Sequence, residues 1–172
     1  DHVREVLKGH GLDVTVELCG RPDEPAKEAS EKGFDRGIAA GGDGTLRSVA
    51  CSTELPVGIL PVGTSNSVAR SLGIPLRLDD ALRVAALGEA RKSDLGIVSG
   101  PEIDGGEQSF LLCASAGVDA EAARRYESKH RSSPSVSRYA MTVVDALFSY
   151  RPSPIRTVID GQASLPPSSI AI

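Results

Sequence analysis

The run Gly41-Gly42-Asp43-Gly44-Thr45 is the part of this 172-residue sequence best suited to chemistry. Glycines let backbone N–H groups approach an anion with no Cβ in the way, and a following helix would aim its N-terminal donors and positive dipole end at the same point. Thr45 is placed to cap that helix or to touch phosphate. Asp43 needs its own account, because a carboxylate in a phosphate loop repels the ligand unless it binds Mg²⁺, holds N–H groups of the loop, or accepts a proton. An ordinary tight turn with an Asx-type bond is the alternative reading.

A second turn of the same kind, Gly63-Thr64-Ser65-Asn66, again follows an apolar stretch and again opens a helical pattern. Two such turns after parallel strands fall at one carboxyl edge, where open α/β sheets bind ligands. Thr64 and Asn66 can cap the second helix or offer hydroxyl and amide groups to a nucleotide.

The elements that would position these turns follow from periodicity. Val3–Lys8 reads as a helix, Asp13–Leu18 as an alternating strand, Glu24–Lys32 as a helix and Arg36–Ala40 as the strand before the first turn. A helix over Thr45–Cys51, a strand over Pro56–Leu60 and a helix over Ser65–Leu72 come next, the last ended by Gly73 and Pro75. Asp79 is positioned to cap a further helix reaching Ala86 or Leu87. Residues 1–92 therefore predict an α/β, doubly wound nucleotide-binding domain that lacks its first strand, since the chain opens inside a helix.

The pattern changes near Arg91–Asp94. Strands are expected at Leu95–Ser99 and Ser109–Ser115 around a polar loop, then one helix with Val136, Tyr139, Val143, Leu147 and Tyr150 on one face, stopped at Arg151-Pro152. Strands return at Ile155–Asp160, turning at Asp160-Gly161, and at Ser168–Ile172. Residues 93–172 thus predict a second, β-rich domain.

Gly41-Gly42-Asp43-Gly44-Thr45-Leu46, then Gly58-Ile59-Leu60-Pro61-Val62-Gly63-Thr64-Ser65-Asn66, then Ala69-Arg70-Ser71-Leu72-Gly73-Ile74-Pro75 resemble the catalytic domain of diacylglycerol kinases, shared by bacterial lipid kinases and by sphingosine and ceramide kinases. The likeness continues through Asp94-Leu95-Gly96 and Ala116-Gly117-Val118-Asp119-Ala120. It implies a two-domain enzyme, with ATP on the α/β domain and lipid on a β-sandwich-like second domain that is incomplete here. It further implies that Gly41, Gly42, Gly44, Thr45, Gly63, Thr64 and Asn66 bind ATP, that Asp43 is catalytic, and that Asp94 lies near the lipid headgroup; the chemistry of ATP makes Asp43 a candidate Mg²⁺ ligand as well.

The sequence departs from the family pattern at Ser67, where many members have Asp supporting bound Mg²⁺. It also lacks the Asn-Pro nucleotide loop and the closing Asp-Gly segments, as a fragment would. An NAD kinase, whose family shares Gly-Gly-Asp-Gly-Thr, and a non-catalytic nucleotide- or lipid-binding fragment stand as alternatives.

A formal net charge of −4 gives no basic field for nucleic acid, although Arg124, Arg125, Lys129, His130, Arg131 and Arg138 cluster locally, as a solvated surface or an anionic-membrane face would. Cys19, Cys51 and Cys113 have no pairing pattern, and His2, His10 and His130 no metal-ligand spacing. With no apolar run of the ~20 residues a bilayer requires, the expectation is a cytoplasmic protein that meets lipid from the membrane surface.

Overall fold

The computed structural model describes residues 2–101, 103, 105–130, 135–151, 158–159, 162–163 and 170–171. They form a mixed α/β structure with small sheets, in two compact units, Asp1–Leu112 and Cys113–Ile172. Residues 93–112, assigned from sequence to the second domain, lie in the first unit.

The first unit is built on a parallel pair, β1 (Gly37–Gly41) and β2 (Val57–Pro61), in register from Gly37 opposite Val57 to Gly41 opposite Pro61. Side chains alternate across a strand, and both faces of this pair are used. Ile38 and Leu60 face a core of Leu7, Ala81 and Leu82 from α1 (His2–Gly9) and α5 (Leu78–Leu87). Ala39, Val57 and Ile59 join Leu46 of α3 (Asp43–Ala50) and Val68 of α4 (Ser67–Ser71) in a second cluster. The Arg36 guanidinium anchors the arrangement, donating to the Ala85 and Gly88 carbonyls at 2.9 Å each and so satisfying acceptors that the end of α5 leaves open. Helix α2 (Asp23–Glu31) precedes β1, and an antiparallel hairpin of β3 (Gly96–Ser99) and β4 (Glu107–Phe110) completes the unit.

The strand expected at Asp13–Leu18 is not formed. Its alternation is real, but a strand needs a ladder partner; none of these residues pairs with another described residue, and Leu18 is 97% exposed. The helix expected to be capped by Asp79 starts two residues earlier, after Arg77, so Asp79 stands in its first turn instead of capping it. Gly73 takes φ +68°, the left-handed conformation that ends a helix.

In the second unit, β5 (Ala116–Gly117) leads into α6 (Val118–His130), followed by α7 (Val136–Ser149) and the two-residue strands β6 (Val158–Ile159), β7 (Gln162–Ala163) and β8 (Ile170–Ala171). Strand β5 pairs antiparallel with β8, and β6 with β7. Two helices thus stand where the sequence pattern predicts one, α6 being the addition. The expected turn at Asp160-Gly161, the segment 155–157, residues 168, 169 and 172, Arg131 and Pro152 lie outside the described residues.

Candidate functional site

The register that sets Gly41 opposite Pro61 brings the two glycine turns out of one sheet edge side by side, as their positions after parallel strands require. Their backbones meet. A Cβ on Gly63 would run into the Cα of Gly42 and stand 2.8 Å from Asn66 Oδ1, so the second turn reaches the first only because residue 63 has no side chain.

The two helices that open here differ at their N-termini. No side chain caps α3, whose first closing bond runs from the Leu46 N–H to the Gly42 carbonyl at 3.0 Å. The N–H groups of Asp43, Gly44 and Thr45 precede that bond and have no acceptor among the described residues, which leaves a compact set of donors at a positive dipole end. Gly44 is exposed, and a Cβ there would meet nothing within 4 Å.

Helix α4 is occupied instead. The Asp43 carboxylate reaches across to it, Oδ2 accepting from the Ser67 N–H at 3.0 Å and Oδ1 from the Val68 N–H at 2.9 Å. Asn66, 8% exposed and left-handed at φ 49°, turns inward. Its Nδ2 donates to the Pro61 and Gly63 carbonyls at 3.3 and 2.8 Å, and its Oδ1 accepts from the Gly63 N–H at 3.0 Å.

The sequence-derived residues thus divide. Gly41, Gly42, Asp43, Gly44, Thr45, Gly63, Thr64 and Asn66 all belong to the two adjoining turns or the starts of their helices. Asp43 and Asn66 bind neighbouring backbone, whereas Thr64 is exposed and its hydroxyl is unengaged among the described residues. Asp94 lies exposed just ahead of β3 and contacts none of them by hydrogen bond or ion pair. Sequence reading did not single out Ser67 and Val68 as partners of Asp43, since a bond spanning 24 or 25 positions leaves no local pattern. A hollow of about 530 Å³ along α5, lined by Pro75, Asp80, Arg83, Val84, Leu87 and Gly88, shares no residue with the turns.

The donor set suits phosphate. It does not by itself build a metal cage: among the described residues, no three His, Cys, Asp or Glu side chains are grouped to hold an ion.

The family described as "Diacylglycerol kinase catalytic domain" matches residues 1–98, more than half of the sequence. This chain belongs to that family. It is 33% identical over 175 residues to a diacylglycerol kinase of Bacillus subtilis (strain 168), covering 94% of this chain and 55% of that protein. A Mycobacterium tuberculosis (strain H37Rv) diacylglycerol kinase is 32% identical, with 90% of this chain and 52% of the relative covered. A Chromohalobacter salexigens protein named "Probable lipid kinase YegS-like" is 39% identical over 127 residues, or 69% of this chain and 38% of its own. The chain spans about half the length of the two diacylglycerol kinases. Its fold is similar to that of a solved structure described as "A putative diacylglycerol kinase from Bacillus anthracis str. Sterne", with a TM-score of 0.63 and 20% identity over 90% of this chain and 52% of that one.

Proposed function

We propose that this chain is part of an ATP-dependent lipid kinase that transfers the γ-phosphoryl group to a lipid hydroxyl of diacylglycerol or sphingoid type. The observation that carries the reading is the uncapped start of α3, with exposed Gly44 and open amides at Asp43, Gly44 and Thr45, beside a second glycine turn on the same sheet edge. Family membership supports the kinase chemistry.

Phosphoryl transfer asks a protein mainly to position reactants and neutralise charge. ATP would supply the phosphoryl group, and Mg²⁺, carried on its phosphates, would offset their charge. In this reading Asp43, Gly44 and Thr45 present backbone amides to the phosphates, Gly41 and Gly42 keep the approach to them free of side chains, and Gly63, Thr64 and Asn66 form the adjoining wall. Asp43 is the acidic residue on which turnover depends, and Asp94 serves the lipid headgroup. The wider architecture in this reading is a doubly wound nucleotide domain followed by a β-rich lipid domain, with the boundary moved from 92/93 to the division between the compact units after Leu112. The enzyme would be cytoplasmic and work peripherally at a membrane, in keeping with the absence, among the described residues, of any helix long and apolar enough to cross one.

ATP consumption with diacylglycerol, sphingosine and NAD as parallel acceptors tests this. Transfer to a lipid and none to NAD is expected. Transfer to NAD would move the chain to the NAD kinase reading, and nucleotide binding with no transfer to any acceptor would favour a non-catalytic fragment.

A further inference from the structure

Asp43 is the one acidic side chain in the glycine turns, yet its carboxylate is directed at α4. Both oxygens accept backbone N–H groups there, from Ser67 and Val68. Helix α4 depends on this for two reasons. It has only five residues, too few to hold helical structure unaided. It also lacks a local cap, because Asn66 immediately before it is left-handed and spends its amide on Pro61 and Gly63.

We propose that Asp43 is a positioning residue, whose carboxylate clasps the N-terminus of α4 and thereby holds the Gly63–Asn66 turn against the Gly41–Thr45 turn in the arrangement that receives nucleotide. Asp43 begins α3, so one side chain ties the start of the open helix to the start of the other. The close approach of Gly63 to Gly42 brings the turns within reach, and the clasp fixes them there. The negative charge is spent on α4's donors, which is how an acidic residue can stand in a phosphate loop. The functional part of this inference rests on the nucleotide reading above.

Turnover alone does not test it, since a proton acceptor, a metal ligand and a clasp would each lose activity in Asp43→Asn. Metal-free ADP separates them. A carboxylate that faced the phosphates would repel ADP in the absence of Mg²⁺, so neutralising it would leave affinity unchanged or improve it. If Asp43 is a clasp, Asp43→Asn keeps at most one of the two bonds, and metal-free ADP affinity should fall by about tenfold or more, the worth of one charge-assisted hydrogen bond. Asp43→Ala should lose more.

Amide exchange on the nucleotide-free 172-residue chain provides the second readout. The Ser67 and Val68 amides should exchange at least about tenfold more slowly than those of Gly44 and Thr45, and should lose that protection in Asp43→Asn as the charged acceptor disappears. Unchanged or tighter ADP binding in Asp43→Asn overturns the proposal, as do Ser67 and Val68 amides that exchange as fast as Gly44 in the unsubstituted protein. The latter comparison needs no variant and stands even where Asp43→Ala fails to fold. If the unsubstituted chain binds no ADP, the nucleotide reading fails, while amide exchange still decides the clasp.

Discussion

At the scale of single residues, glycines of one motif do different work. Gly63→Ala would force a Cβ into the Gly42 backbone and Asn66 Oδ1, neither of which can swing aside. A loss of about 1–3 kcal/mol is expected, as for other overpacked sites, read as a lower urea midpoint. Gly44→Ala should change stability by no more than ~0.5 kcal/mol, because its Cβ meets nothing. Its effect should appear in ATP affinity, lowered by about tenfold if the methyl costs one amide-to-phosphate bond. A titration calorimeter and a denaturation curve together check both variants. That the two glycine turns adjoin was legible, because turns that follow neighbouring parallel strands fall at one sheet edge. What Asp43 and Asn66 hold was not, because these partners are set by how two strands align and how two turns pack.

At the scale of elements, legibility followed how strongly burial imprints a period. Strands β1 and β2 and helices α3 and α5 were readable within two residues at each end. Helix α6 was not, because Asp119, Glu121, Arg124, Arg125, Glu127 and Lys129 leave little apolar rhythm, and among its described side chains only Ala122 is fully buried. It pairs with α7 through features that hydrophobic spacing does not show. Tyr126 and Tyr139 meet edge to face at 5.2 Å, and Arg125, steadied by Glu121 of its own helix, binds Asp145 at 3.1 Å and Ser149 at 2.6 Å. The inward face of α7 also differs from the expected Val136, Tyr139, Val143, Leu147 and Tyr150 row. Thr142 and Ala146 are buried, small enough for a close helix approach, while Val136 and Leu147 are more than half exposed.

Hydrogen bonds from Arg125 and Arg124 hold the Glu121 carboxyl below its ordinary value. Between the folded and unfolded values the unfolded chain therefore binds more protons, so stability rises with pH there. The contribution is complete above the ordinary glutamate range and is lost as pH falls through the lower folded value. Glu121→Gln should accordingly flatten the acid limb of a melting-temperature profile. Burial predicts a further contrast. Phe148→Ser, at a site 91% exposed, should shift stability by no more than ~0.5 kcal/mol, whereas Leu60→Ala, at 1% exposure in the α1–α5 core, should cost about 2–5 kcal/mol. Chemical denaturation monitored by circular dichroism reads both.

At the scale of the molecule, the chain belongs to the diacylglycerol kinase catalytic domain family and carries the two glycine turns that the family resemblance implies. In the proposed function, nucleotide phosphates sit at the open start of α3 beside the second turn. Amide exchange with and without ATP–Mg²⁺ tests it most directly. Protection is expected to concentrate at Asp43, Gly44 and Thr45, with a smaller effect at Gly63 and Thr64. Protection at the Pro75–Gly88 hollow along α5 with none at Gly44, or no protection anywhere at saturating ATP, would contradict it.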